Sequence, residues 1–206
     1  MIYFIVKGGP VMIPIILASI LGLAIILERL WVIHRVYRLD METFSKAVYK
    51  NVLDGKIEEA LRICRENLDF PLPSMFAVAL ENRELARADL EKMLERLGNH
   101  YVKNLEQRLG GLLTIVSISP LLGFLGTITG LIRAFMAWEK AGSDITVSAL
   151  ASGIYEAMIT TAAGLMVAIP YYLFYNYFIS RIKNFAHELD DYSSQLFEVM
   201  AKGRML

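Results

Sequence analysis

Three long blocks of the chain hold almost no charged residues. Residues 8–27 and 109–132 carry no charge, and Glu156 is the only charged residue between 145 and 180. Because a helix rises about 1.5 Å per residue, roughly 20 residues cross a hydrocarbon core of about 30 Å. The pattern therefore predicts an all-α integral membrane protein with three transmembrane helices. The first block runs into a charged segment without a small-residue cleavage site, which favours a retained span over a signal peptide.

Apolar residues at helical spacing outside these blocks predict long cytoplasmic helical extensions. From Ser74 this spacing leads into span two without a strong break, which predicts one long helix. Asp54-Gly55 predicts a turn between two short helices within 40–68. In the tail, apolar residues step alternately by three and four, as in a coiled-coil seam. That seam comprises Ile182, Phe185, Leu189, Tyr192, Leu196 and Val199.

Lysine and arginine near the span ends predict the orientation. Most follow spans one and three or precede span two, and the positive-inside rule places that side in the cytoplasm. The N-terminus is then periplasmic and the C-terminus cytoplasmic. The predicted segments are 1–34 (periplasmic N-terminus and span one), 35–108 (cytoplasmic helical domain), 109–138 (span two), 139–147 (periplasmic loop), 148–180 (span three) and 181–206 (cytoplasmic C-terminal helix).

Charge and motif content argue against a nucleic-acid binder or an enzyme. The chain has 21 basic and 21 acidic residues, and segment 35–108 holds 13 of each, so it offers no strong basic surface. His-Glu-x-x-His, Gly-x-Ser-x-Gly and phosphate-loop patterns do not occur. The single Cys64 cannot form a disulfide within one chain. The sequence predicts no enzyme activity, no metal site and no cofactor.

Span two is rich in small residues. Gly126, Gly130 and Ala134 are spaced by four, which lets helix backbones approach closely. Close helix packing is the favoured interpretation for these glycines, and lining of a pore is the alternative. Packing on that side implies that span two is surrounded by protein, which a homo-oligomer would supply. Pro120 in span two and Pro170 in span three predict kinks.

Three polar residues in the spans are candidates for function. An ionised Glu156 costs on the order of 2.5–3.5 kcal/mol in a span, so it must be protonated, paired or hydrated. An ion pair with Arg133 or an interfacial position is the structural alternative. Thr127 and Thr161 could bond their own backbone or line a polar path. At about 100° per residue, Thr161 lies about 140° from Glu156, so the two cannot point at one spot.

Two motifs resemble the MotA/TolQ/ExbB proton-channel family, closest to its ExbB and TolQ branch. They are residues 120–135, PLLGFLGTITGLIRAF, and residues 153–170, GIYEAMITTAAGLMVAIP. Gly9-Pro10, Glu28-Arg29-Leu30-Trp31 and Tyr175-Asn176 add to the match. The sequence before span one is short compared with ExbB proteins that have a long periplasmic extension, and the four-span MotA pattern does not fit. ExbB-like and TolQ-like roles therefore stay equally open.

The resemblance implies a homopentamer around two copies of an ExbD- or TolR-like protein, whose single span bears an essential Asp. Such complexes sit in the bacterial inner membrane and use the proton motive force to energise a TonB- or TolA-like protein for outer-membrane transport or integrity. The translocated ion would be H⁺, with Na⁺ possible. By motif match, Glu156, Thr127 and Thr161 form the ion pathway. The resemblance implies a role in helix packing or pore lining for Gly123, Gly126, Gly130, Ala134 and Gly164. A non-conducting scaffold that assembles a partner complex is the alternative.

Overall fold

A computed structural model describes residues 7–141 and 147–203 of the chain, and these residues contain helices and no strand. The helices are α1 Met12–Val36, α2 Met41–Leu53, α3 Ile57–Arg65, α4 Pro71–Glu81, α5 Arg87–Glu106, α6 Leu109–Ala141 and α7 Val147–Lys202. Three helical stretches are long and apolar enough to cross a membrane, and they contain α1, α6 and α7. The predicted all-α class and its three spans are confirmed. The predicted loop at 139–147 falls largely on 142–146, outside the described residues.

Residues 1–28 and 108–177 form one compact unit, which we call the membrane unit. Large apolar side chains cover much of its surface: Ile20 is 61% exposed, Phe124 63% and Met166 74%. Side chains of this kind are compatible with lipid tails or with a neighbouring subunit, and not with open water.

Two helices of the membrane unit, α1 and α7, pack through a glycine and a tyrosine. The ring of Tyr171 occupies the space beside Gly22, where a Cβ atom would collide with it. Its hydroxyl donates to the carbonyl oxygen of Ser19 over 2.5 Å. In a span this bond satisfies a polar hydroxyl that would otherwise lie unpaired against apolar groups.

Both span prolines lie inside continuing helices, Pro120 in α6 and Pro170 in α7. Because proline has no N–H, the carbonyl oxygens of Val116 and Met166 lose their i+4 donors. The kinks predicted at these positions remain predictions.

Residues 29–107 and 178–206 form the second unit, which contains the end of α1, α2 to α5 and the end of α7. Asp40 caps α2 by accepting from the backbone N–H of Thr43 over 3.2 Å. Gly55, with φ +74°, makes the turn between α2 and α3 at the position that Asp54-Gly55 predicts. Pro71 starts α4, where its missing N–H costs no helical hydrogen bond.

Aromatic and aliphatic side chains fill the centre of the second unit. Phe76 of α4 is completely buried, and its ring centroid lies 5.8 Å from that of Phe44 and 5.7 Å from that of Tyr49. The Tyr49 hydroxyl donates to the carbonyl oxygen of Tyr192 over 2.6 Å, which ties α2 to the end of α7. Contacts of this kind bury the tail of α7, as its apolar spacing predicts.

The expectation of one long helix from Ser74 is only partly correct, because the backbone leaves the helix twice. α4 ends at Glu81, and α5 ends at Glu106, just before Arg108 with φ 64°. Arg29 is buried and donates to the carbonyl oxygens of Asn104 and Leu105 over 3.3 Å each. These carbonyls belong to the last turn of α5 and have no helical donor. Apolar periodicity continues through such a break and therefore does not reveal it.

The buried seam of the tail also differs from the prediction in register. Ile182, Phe185, Leu189 and Leu196 are buried as expected. Ser193 and Met200 are buried in place of Tyr192 and Val199, which are half-buried. A straight helix has 3.6 residues per turn, so a strict seven-residue seam drifts around it and the next residue along takes the buried place.

Replacing the central aromatic residue should destabilise the second unit. Phe76→Ala removes a fully buried ring and should lower the free energy of unfolding by about 3–5 kcal/mol. Leu53→Ala is the matched control, because Leu53 is 54% exposed. Hydrogen exchange of α2 to α4 in the full-length, detergent-solubilised protein measures the stability of both variants. Equal protection in the two variants would contradict the packing described above.

Candidate ion site in the membrane unit

The contact between α6 and α7 is close enough to involve backbone atoms. Gly123 and Gly130 of α6 are buried against α7. A Cβ atom at Gly123 would lie 3.0 Å from the Thr160 carbonyl oxygen, and one at Gly130 would lie 2.8 Å from the Gly153 carbonyl oxygen. Only glycine permits this approach, so the small residues of span two lie in a helix–helix contact within one subunit.

α7 contributes its own small residues to this contact. Gly153 faces Ala134, so that a Cβ atom added there would lie 2.7 Å from the Ala134 Cβ. A Cβ at Gly164 would collide with the carbonyl oxygen of Ser119. Ala157 is buried and lies opposite Gly130. The pair Gly153 and Ala157 also has small-xxx-small spacing, a signal that our sequence reasoning applied only to span two.

Thr127 and Thr161 meet across this interface. Their hydroxyl oxygens are 3.0 Å apart, and either could be the donor. The Gly123 carbonyl oxygen lies 3.2 Å from the Thr127 hydroxyl and 3.1 Å from the Thr161 hydroxyl. Three oxygens thus share two hydroxyl protons. Two protons cannot fill all the lone pairs of three oxygens, so the cluster can still accept a proton donor or contribute to cation binding.

Thr160, the neighbour of Thr161, has a different environment. Its side chain is completely buried, and its hydroxyl donates to the backbone of its own helix, at the carbonyl oxygens of Glu156 and Ala157. Gly126 of α6 makes room for it, because a Cβ there would collide with the Thr160 side chain. Such back-bonding leaves Thr160 without a free donor.

Glu156 forms an ion pair with Arg133, Oε1 to Nη1, between α7 and α6. The Glu156 side chain is 14% exposed and that of Arg133 is 47% exposed. Pairing offsets much of the cost of a charge in a span. The ion pair with Arg133, which the sequence offers as a structural explanation of Glu156, is therefore present within one subunit.

Glu156 and the threonine pair occupy separate places. Within the described part of the chain, Glu156 makes no hydrogen bond with Thr127 or Thr161. This agrees with the angle of about 140° between Glu156 and Thr161 around the helix. The contact between α6 and α7 thus includes a hydroxyl pair inside it and an ion pair beside it.

Metal-binding and thiol chemistry find little support in the described residues. Residues 7–141 and 147–203 contain no group of three or more His, Cys, Asp or Glu that could hold a metal ion. Cys64 is buried in the second unit, and this burial raises the pKa of its thiol to about 12. The thiol therefore stays protonated near neutral pH.

Fold and site together define a helical membrane protein with a polar pair inside its helix contact. The MotA/TolQ/ExbB proton channel family matches residues 67–191, more than half of the chain. The chain belongs to this family, and its curated relatives confirm the resemblance to the ExbB and TolQ branch. The family is one of channels rather than of enzymes.

Three relatives illustrate the range of this similarity. ExbB-like 1 of Synechocystis is 37% identical over 79% of this chain and 64% of its own length. An ExbB homolog of Methanothermobacter thermautotrophicus is 31% identical over 85% of this chain and 62% of its own length. The Tol-Pal system protein TolQ of Haemophilus influenzae is 28% identical over 90% of this chain and 87% of its own length. The chain therefore spans a little under two thirds of the first two relatives.

A methyl group in the helix contact should force α6 and α7 apart. Gly130→Ala places its Cβ against backbone atoms of α7, and we expect the free energy of unfolding of the subunit to fall by about 1–3 kcal/mol. Gly110→Ala in the same helix is the control, since nothing lies within 4 Å of its Cβ. At the second residue of α6 the gain in helix propensity is smaller than the roughly 0.5–1 kcal/mol of a helix interior. In thermal unfolding in detergent, Gly130→Ala should unfold below the wild type and Gly110→Ala at or slightly above it.

Proposed function

We propose that this chain is the ring-forming subunit of an ion-driven motor in the bacterial inner membrane. It would assemble as a homopentamer around an ExbD- or TolR-like protein with one span and an essential Asp. The complex would use the proton motive force to energise a TonB- or TolA-like protein for outer-membrane transport or integrity. The observation that carries this proposal is the hydroxyl cluster of Thr127, Thr161 and the Gly123 carbonyl inside the α6–α7 contact.

The orientation and segment boundaries derived from the sequence belong to the same proposal. The N-terminus would be periplasmic, and segments 35–108 and 181–206 would be cytoplasmic. More Lys and Arg residues lie after spans one and three and before span two than at the opposite span ends, which supports this arrangement.

The hydroxyl cluster has the chemistry that an ion pathway needs. An unfilled lone pair of its oxygens can accept a hydrogen bond from the protonated carboxyl group of a partner's Asp. Its three oxygens could equally contribute to the coordination of Na⁺, which takes oxygen ligands. Moving one charge through 100 mV supplies about 2.3 kcal/mol, more than one such hydrogen bond contributes. An ion could therefore make and break these contacts in turn as it passes.

Glu156 would act beside this cluster as an exchangeable ionic group. Its ion pair with Arg133 keeps a carboxylate in the span, and Arg133 is half exposed at the surface of the subunit. A mobile ion or a partner's side chain could therefore reach the pair from that side. We propose that the pair opens during transport, and that Glu156 then exchanges Arg133 for the moving ion.

The scaffold alternative has one observation in its favour. The ion pair accounts for a buried acid without any conduction, because each partner neutralises the other. In that case Glu156 and Arg133 would serve only to hold α6 and α7 in register.

Separate neutralisation of the two partners distinguishes these roles. Glu156→Gln should abolish proton flux in vesicles that contain the chain with its Asp-bearing partner, while the oligomer still assembles. Arg133→Gln should keep measurable flux, because the carboxylate remains. Flux is measured with a pH-sensitive dye after a potential is applied.

Equal loss in both variants, restored by the exchanged pair Arg133→Glu with Glu156→Arg, would show that only the ion pair matters. Absence of flux in the wild-type complex would support the non-conducting scaffold, whereas this rescue would contradict a pathway role for Glu156 and leave it a structural one. Full flux in Glu156→Gln would contradict both roles.

The hydroxyl pair gives an independent test. Thr127→Val and Thr161→Val preserve shape and remove one hydroxyl each, so each should slow flux about fivefold if a hydrogen bond of about 1 kcal/mol is lost in the rate-limiting step. Serine at either position should retain flux. Thr129→Val is the control, because Thr129 bonds only the Gly126 carbonyl oxygen of its own helix. Parallel measurement of ²²Na⁺ uptake identifies the ion.

A further inference from the structure

The turn that precedes α1, at residues 8–11, lies against the ion pair of Glu156 and Arg133. Gly9 has φ +67°, in the left-handed region. A Cβ atom built on Gly9 would collide with Oε1 of Glu156 and would lie 3.2 Å from Nη1 of Arg133. The turn, α6 and α7 thus meet at one carboxylate, and all three belong to the membrane unit.

Hydrogen bonds and packing hold this turn in place. The Gly9 carbonyl oxygen accepts from the N–H of Met12 over 3.1 Å, and that of Pro10 accepts from Ile13 over 3.2 Å. Gly8 is buried, and a Cβ added to it would lie 3.3 Å from Cγ2 of Ile159 on α7. Gly9 is therefore fixed against Glu156 by its neighbours on both sides.

We propose that Gly9 is a positioning residue for the Glu156 carboxylate, an inference that rests on the ion-pathway role proposed for Glu156. The bare Cα of Gly9 admits Oε1 at the place where Arg133 holds it, and the turn covers the carboxylate. Any side chain at this position takes the space of Oε1. Because Oε1 is at the far end of a flexible side chain, the carboxylate yields and moves away from Arg133.

Gly9 satisfies two separate requirements, a positive φ and an absent Cβ, and the chain offers a way to separate them. Gly55 has φ +74° with nothing within 4 Å of its Cβ, so Gly55→Ala carries the backbone strain without a collision. Asparagine adopts positive φ more readily than alanine but has a larger side chain. If backbone strain alone mattered, Gly9→Asn would disturb the Glu156 carboxylate less than Gly9→Ala does. If the collision with Glu156 matters, Gly9→Asn should disturb it at least as much.

The test measures the carboxylate directly, with the full-length chain in membranes. A hydrophobic carbodiimide reacts with protonated, accessible carboxyl groups, and mass spectrometry quantifies its adduct on Glu156. We expect Gly9→Ala and Gly9→Asn to raise the labelling rate about tenfold, equivalent to about 1.4 kcal/mol. Gly55→Ala should label at the wild-type rate. Glu156→Gln confirms the assignment of the adduct.

Wild-type labelling in both Gly9 variants would overturn the proposal, and so would a rise in Gly9→Ala that is absent in Gly9→Asn. If Gly9→Ala fails to accumulate in the membrane, Gly9→Asn decides. Labelling needs no partner and no conduction, so it is separate from the flux assay. Full flux in Glu156→Gln would overturn the ion-pathway role even where labelling shows that Gly9 positions the carboxylate.

Discussion

The close approach of α6 and α7 is the constraint on which the site depends. Gly123, Gly126 and Gly130 of α6 face Thr160, Thr161, Gly153 and Ala157 of α7, with backbone atoms in contact. Between apolar helices in lipid there is little hydrophobic gain from association, so van der Waals packing and hydrogen bonds must supply the attraction. Because these glycines of α6 have no side chains, the carbonyl oxygen of Gly123 lies within reach of hydroxyls from both helices. Without this approach, each threonine would bond only within its own helix.

Three polar groups in the membrane unit are matched by a partner on another element. The threonine hydroxyls bond each other across the helix contact, Glu156 pairs with Arg133, and Tyr171 donates to the backbone of α1. Such matching is what a low-dielectric surrounding requires, since an unpaired buried polar group costs several kcal/mol. In the proposed ion pathway, a passing ion would compete with these existing contacts. The proposed partner, with a titratable carboxyl group of its own, is a natural competitor for those contacts.

The second unit shows a different balance of forces. Its helices are short, their packing depends on Phe76 and its aromatic neighbours, and the end of α7 is held by the same core. α7 belongs to both units, since residues up to Tyr177 lie in one and residues from Phe178 in the other.

The sequence by itself determined the membrane class, the three spans and the family, because charge-free length and two long motifs are local properties. It also singled out Glu156, Thr127 and Thr161 as candidates, the acid by the cost of a charge in a span and the threonines by motif match. It could not show the helix break before Arg108, the shift of the tail seam to Ser193, or the contact between Gly9 and Glu156. These depend on where the backbone turns and on which distant residues meet. Only the tertiary structure decided that the acid lies beside Arg133 and under the N-terminal turn, because an ion pair and a steric gap are relations in space between residues far apart in the chain.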